Sequence, residues 1–232
     1  MGQCIELFQM NERMDGLLVS VVGSSTHKRD GLVLTNYITQ QSQFLAKGYG
    51  SCNDATWSYL DDRVVVVFDS GTVGYFPVLG GEPELWCGRT PVTDVACART
   101  TQLTATGFRM GKLAWWDFRQ GMSDPVAVCT HMRSDFNQIS FSPDDTFLQA
   151  SMEDNHVYVF DTRVLDRPLH CLAHEQAPRV MRVPCDSIGV TMSRWTRQGF
   201  LFSCGAEGTV KVWDMRGATQ NALLKTLRAH CF

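Results

Sequence analysis

No apolar run among the 232 residues is long enough to span a bilayer, which excludes membrane insertion by a helix. No stretch gathers Lys and Arg, and a net charge of -3 with a pI near 6.0 argues against direct nucleic-acid binding, which wants a basic stripe. There is no phosphate-cradling glycine loop, no nucleophile elbow and no H-E-x-x-H, so the common catalytic signatures are missing. The expectation is a protein with no enzymatic activity, no cofactor, no metal and no small-molecule substrate. A charged-then-apolar leader is also missing at the start. "MGQCIE" sets Gly2 and Cys4 where acylated proteins carry them, but Glu6 stands where the acylation pattern wants Ser or Thr, so an ordinary strand entry is expected.

Cysteine is present but unorganised. The nine residues are an odd count, and none stands in a C-x-x-C pair. Most lie in apolar, strand-like surroundings such as "VTDVACA", which suits reduced thiols acting as small hydrophobes. The expected location is intracellular, in the cytoplasm or the nucleus. "HCLAH" holds His170, Cys171 and His174, yet on a strand Cys171 faces away from the two histidines, and only Cys185 stands near as a further ligand. Asp61–Asp62 and Asp144–Asp145 are paired carboxylates, but "YLDDR" and "SPDDT" are turn sequences, where Asp bonds nearby backbone N–H groups.

What is abundant is short runs of Val, Ile, Phe, Tyr and Thr between Gly, Asp, Asn and Pro, with hardly any helical periodicity. The reading is all-β. The runs also repeat. "GLVLTNY", "GTVGYF", "GKLAWW", "NHVYVF" and "GTVKVW" end on Tyr37, Phe76, Trp116, Phe160 and Trp213, at intervals of 39, 40, 44 and 53 residues. The last interval is lengthened by "EQAPRVMRVPCDSIGV" (175–190). Aspartate follows the aromatic at Asp117, Asp161 and Asp214, and the last two repeats close on Ala-His at His174 and His230.

On these residues the sequence resembles the WD40 family of β-propellers, most specifically over residues 91–232, where "EGTVKVWDMRG" and "GKLAWWDFRQG" lie close to the family pattern. The resemblance implies one β-propeller over 1–232, with four-stranded blades near 1–50, 51–90, 91–131, 132–175 and 176–232. Trp116 would end a third strand with its ring between neighbouring sheets, and Trp115 would point to the other face. Five repeats are fewer than the seven usual in the family. A truncated product, closure as a small ring, and completion by a partner all stay open, the first and last favoured over closure.

Blades of the family often tie a loop His, a strand Ser or Thr, a turn Asp and the Trp into one polar network. Here the turn acid reads Met110, Asp154 and Glu207 in successive repeats, so the expectation is a degraded network and blades held mainly by packing. The three last repeats carry Arg two residues beyond the Asp, at Arg119, Arg163 and Arg216. Each Arg can fork its own Asp or offer a guanidinium to a partner. With Arg179 and Arg182 of the 175–190 insertion, these are the candidate partner-binding residues. The resemblance implies an interaction scaffold in a larger complex. Two narrower roles also follow from it: a substrate receptor docking on the adaptor of cullin-4 ubiquitin ligases through W-D-x-R, or an outer-ring propeller of the nuclear pore.

Overall fold

The computed structural model describes residues 3–10, 17–24, 27–60, 62–176, 189–216 and 222–228, with side chains from residue 31 onward. Among them, twenty strands form five four-stranded antiparallel sheets. Sheet 1 holds β1 (Gln3–Met10), β2 (Leu17–Ser24), β3 (His27–Asn36) and β4 (Gln41–Lys47). Sheet 2 holds β5 (Cys52–Trp57), β6 (Arg63–Phe68), β7 (Thr72–Pro77) and β8 (Glu84–Cys87). Sheet 3 holds β9 (Val92–Cys97), β10 (Leu103–Phe108), β11 (Lys112–Asp117) and β12 (Ala127–Cys129). Sheet 4 holds β13 (Phe136–Phe141), β14 (Phe147–Met152), β15 (His156–Asp161) and β16 (His170–Ala173). Sheet 5 holds β17 (Val190–Trp195), β18 (Phe200–Gly205), β19 (Thr209–Asp214) and β20 (Leu223–Arg228). Every sheet is a meander whose spatial order follows the chain. Packing divides the chain into two compact units, residues 1–109 with 113–126, and residues 110–112 with 127–232.

In the first unit the sequence of β6, "RVVVVF", shows why an unbroken apolar run forms a strand. Val64, Val66 and Phe68 pack with Leu32, Leu34, Ala55, Trp57 and Phe76. Val65 and Val67 turn to the opposite side, among Val92, Val95, Phe108, Ala114 and Trp116. A sheet covered on both faces needs apolar residues at every position, and each buried Val contributes about 1.5–3 kcal/mol. In the second unit Val157, Val159 and Leu172 of sheet 4 pack against Val190, Leu201, Trp213 and Met215.

The turns between first and second strands share one chemistry. The Ser58 and Ser142 hydroxyls accept from the Arg63 and Phe147 amides at 3.2 and 2.9 Å, while donating to Asp62 and Asp144 at 2.9 and 2.7 Å. Thr196 takes the amide of Phe200 at 3.1 Å in the same way. Asp62 and Asp144 are thereby turn acids. Asp61 lies outside the described residues.

A second recurrent contact ties consecutive sheets within each unit. Asn53 donates its side-chain amide to the Val92 carbonyl at 2.7 Å, and Asn137 donates to the Val190 carbonyl at 3.0 Å. The next residue works in the reverse sense, as Asp54 accepts from the Val95 amide and Gln138 from the Ser193 amide, both at 3.0 Å.

Candidate functional site: the third-strand exits

Asp117, Asp161 and Asp214 end β11, β15 and β19, and each begins the same local construction. A short side chain on the last strand residue reaches the backbone N–H two residues on, at 3.1, 2.9 and 3.0 Å respectively. That bond turns the chain so that the Arg side chain doubles back over the carboxylate. Arg119 Nε and Nη2 lie 2.8 and 2.5 Å from the Asp117 oxygens. Arg163 repeats this on Asp161 at 2.8 and 2.5 Å, and Arg216 on Asp214 at 2.9 and 2.7 Å. Two parallel N–H···O bonds fix the plane of a guanidinium as one bond cannot. The bonds from its own Arg hold each carboxyl below the ordinary range, to about 2 for Asp161 and Asp214.

The forks are oriented yet open to solvent. The Arg119, Arg163 and Arg216 side chains are 68%, 79% and 56% exposed. Arg216 also lies over the Phe200 ring, 4.3 Å from its centroid. Arg119 stands at a cleft of about 190 Å³ within the first unit, formed by the turns 58–63 and 97–104. Its wall is the Tyr75–Phe118 stack, with ring centroids 4.3 Å apart, and Arg63 covers Tyr75 while pairing with Glu84 at 2.8 Å. Tyr59 and Leu60 stay exposed beside it. Arg179, Arg182 and His230 lie outside the described residues.

The polar network is a correction. In sheet 5 it is complete, with Glu207 in the place of the shorter acid. His174 Nδ1 lies 2.6 Å from Glu207 Oε1, His174 Nε2 lies 2.6 Å from Ser203 Oγ, and Trp213 Nε1 donates to Ser203 Oγ at 2.8 Å. A carboxylate only accepts, so Nδ1 carries the proton and Nε2 accepts from Ser203. Burial pushes the His174 imidazole below its ordinary pKa, against the pull of Glu207, and keeps it neutral. Burial works against the Glu207 carboxylate too, but bonds from Thr209 and His174 prevail and leave its pKa below the ordinary range.

Glutamate fits because Gly205 has no Cβ. A Cβ there would occupy the space of Glu207 Oε2, which is buried with no hydrogen-bond partner. Carboxylate, imidazole and hydroxyl stand in the order of a nucleophilic relay, but Ser203 is fully buried and already bonded to Trp213, so no substrate carbonyl can reach it. Both nitrogens of His174 are engaged, which removes it from any zinc site with His170.

Elsewhere the expectation of thinner networks holds. Trp116 donates to Thr106 at 2.7 Å and is packed edge-on by Trp86, with centroids 5.3 Å apart. In sheet 4 the aromatic is Phe160, fully buried, and Asp154 accepts instead from the Tyr158 hydroxyl at 2.9 Å. Trp115 and Trp116 are both buried. The Asn53 and Asn137 ties were missed in the sequence, although "ND" and "NQ" recur near the starts of two first strands.

No protein-family model matches the chain. It is 32% identical over 222 residues to Rik1-associated factor 1 of Schizosaccharomyces pombe, covering 83% of this chain and 33% of that protein. It is 26% identical over 133 residues to eukaryotic translation initiation factor 3 subunit I of Pyricularia oryzae, covering 56% of this chain and 37% of that one. Among solved structures it matches a chain of the mitotic checkpoint complex with a TM-score of 0.73 at 16% identity, over 92% of this chain and 60% of the other. The Dos1 propeller gives a TM-score of 0.73 at 18% identity, over 96% of this chain and 59% of that one. The chain thus spans about a third of the length of these two relatives and about three-fifths of the solved chains. Repeats, sheet topology and likenesses define the class by its fold: the chain has the fold of a WD40-type β-propeller.

Proposed function

We propose that the chain is a non-enzymatic protein-interaction scaffold, the WD40 subunit of a larger intracellular complex, and that it binds through its third-strand exits. The observation that carries this reading is the threefold recurrence of one exposed, pre-oriented guanidinium, at Arg119, Arg163 and Arg216. A fork already fixed by its own Asp loses little conformational freedom on binding, and Arg is a frequent interface anchor. The fold and the relatives support a scaffold in complexes, and one relative is named for its association with Rik1.

The narrower role as a substrate receptor on a cullin-4-type ligase adaptor is favoured over a nuclear-pore role by the intact W-D-x-R forks at Trp116–Arg119 and Trp213–Arg216. The test is quantitative co-purification of the full chain, wild type against the triple variant Arg119→Ala, Arg163→Ala, Arg216→Ala. At least one stoichiometric partner should be lost with an unchanged thermal melt. Retention of all partners by the folded triple variant would sink the proposal. Direct mixing with a purified cullin-4 adaptor separates the receptor role from the general one.

A further inference from the structure

The cleft at which Arg119 stands is lined wholly from the first unit. Its charges pair off with one exception. Arg63 is engaged by Glu84 at 2.8 Å and by the face of Tyr75. Arg119 is engaged by Asp117. Asp62 is left over. Among the described residues its exposed carboxylate meets no cation and takes a single bond, from Ser58 Oγ to Oδ1 at 2.9 Å. Its charge reaches the cleft wall: burial pushes the Tyr75 phenol above its ordinary pKa, and Asp62 adds to the rise.

The surface leading to Asp62 is apolar. Tyr59 and Leu60, on the same turn, are 42% and 41% exposed, and Phe118, stacked on Tyr75, is half-buried. An unmatched carboxylate at the end of an apolar approach suits one side chain above others. Lysine lays four methylenes on apolar surface and ends in a compact point charge. Arginine ends in a fork that prefers both oxygens of a carboxylate in one plane, and Oδ1 of Asp62 already serves its own turn. An acidic side chain meets Asp62 and finds both guanidiniums of the cleft already bonded. At about 190 Å³ the cleft is smaller than the pockets that enclose small-molecule ligands, and a single extended side chain matches it better. Gln102 on its wall carries an amide oxygen that can take a second ammonium proton.

We propose that this cleft is a lysine pocket: it receives a lysine from an exposed segment of a partner protein, with the ammonium on Asp62 and the stem along Tyr59, Leu60 and Phe118. The Ser58 bond holds the carboxylate in place before the partner arrives, so little ordering remains to be done on binding. Arg119 at the mouth favours an acid beside that lysine. The proposal rests on the reading that the third-strand exits are a contact surface, and it names what the exit of sheet 3 receives.

The test selects phage-displayed random peptides on the full chain and counter-selects them on Asp62→Asn. The amide oxygen of that variant still accepts from Ser58, so its thermal melt should match the wild type. Surviving peptides should share a lysine between apolar residues. In a synthetic copy, norleucine in place of the lysine should weaken binding to the wild type about tenfold, the loss of one charge-assisted bond. On Asp62→Asn the same replacement should make little difference. Leu60→Ser should weaken the lysine peptide, whereas Arg119→Ala should leave its lysine dependence intact. No surviving peptide, survivors without a shared lysine, or a norleucine effect that is absent or equal in the two chains would each overturn the proposal. The rim reading is scored apart from this. Partners lost by the triple rim variant with no lysine peptide found would keep the rim and remove the pocket. Lysine peptides found while the triple variant retains every partner would do the reverse.

Discussion

Trp116 and Trp213 end equivalent strands and are held by different means. Trp116 sits at 1% exposure among Phe108, Val92 and Trp86, with one hydroxyl, that of Thr106, for its indole N–H. Trp213 sits at 5% exposure and starts a four-member relay through Ser203 and His174 to Glu207. One tryptophan is retained by shape, the other by a chain of directed bonds. Packing loses stability in proportion to what is removed, whereas a buried relay fails as a unit once a member leaves its neighbours unpaired.

The largest effect, common to both, comes from removing the rings. Trp116→Ala should cost about 3–5 kcal/mol in urea unfolding, and Trp213→Ala a similar amount. Next comes the relay: His174→Ala should cost about 3 kcal/mol because it strips the buried Glu207 carboxylate of a donor. The matching cut on the other side, Thr106→Val, should cost only about 1–2 kcal/mol for one unmet indole N–H. Equal losses for His174→Ala and Thr106→Val would erase the distinction.

Acid should sharpen it further. His174 has a folded pKa below its ordinary 6.5 and Glu207 one below its ordinary 4.5, so the unfolded chain binds more protons below each value. The relay's contribution is complete above pH 6.5 and is lost progressively as pH falls. The melting temperature should therefore start to drop below pH 6.5, and Glu207→Gln with His174→Gln should flatten that limb. Gly205→Ala, which fills the space of Glu207 Oε2, should reproduce the relay's loss, with Glu207→Asp in the same chain restoring part of it.

The smallest effect belongs to the forks. Asp161→Asn should leave the melt unchanged, while the wild-type carboxyl, followed by NMR, should titrate at about 2 and return toward the ordinary range in Arg163→Ala.

The repeat was legible because Phe160-Asp161 and Trp213-Asp214 mark the ends of strands that must each supply an inward aromatic and a turn acid. The forks were legible for a similar reason: a spacing of two lets Arg fold back on an Asp that ends a strand and turns the chain. Glu207 was not legible as a relay member, since its fit depends on the missing side chain at Gly205 and on space that only the folded turn defines. The unmatched charge of Asp62 was equally hidden. Asp62, Arg63 and Glu84 are ordinary turn and strand residues until the fold pairs two of them and leaves the third at the cleft.

The ties from Asn53 to Val92 and from Asn137 to Val190 end on main-chain carbonyls, which every amino acid carries. Such a clasp does not read the identity of the repeat it holds. A duplicated or transplanted repeat meets the same clasp unchanged, so the order of repeats is written instead in side-chain pairs such as Gln149 with Ser193.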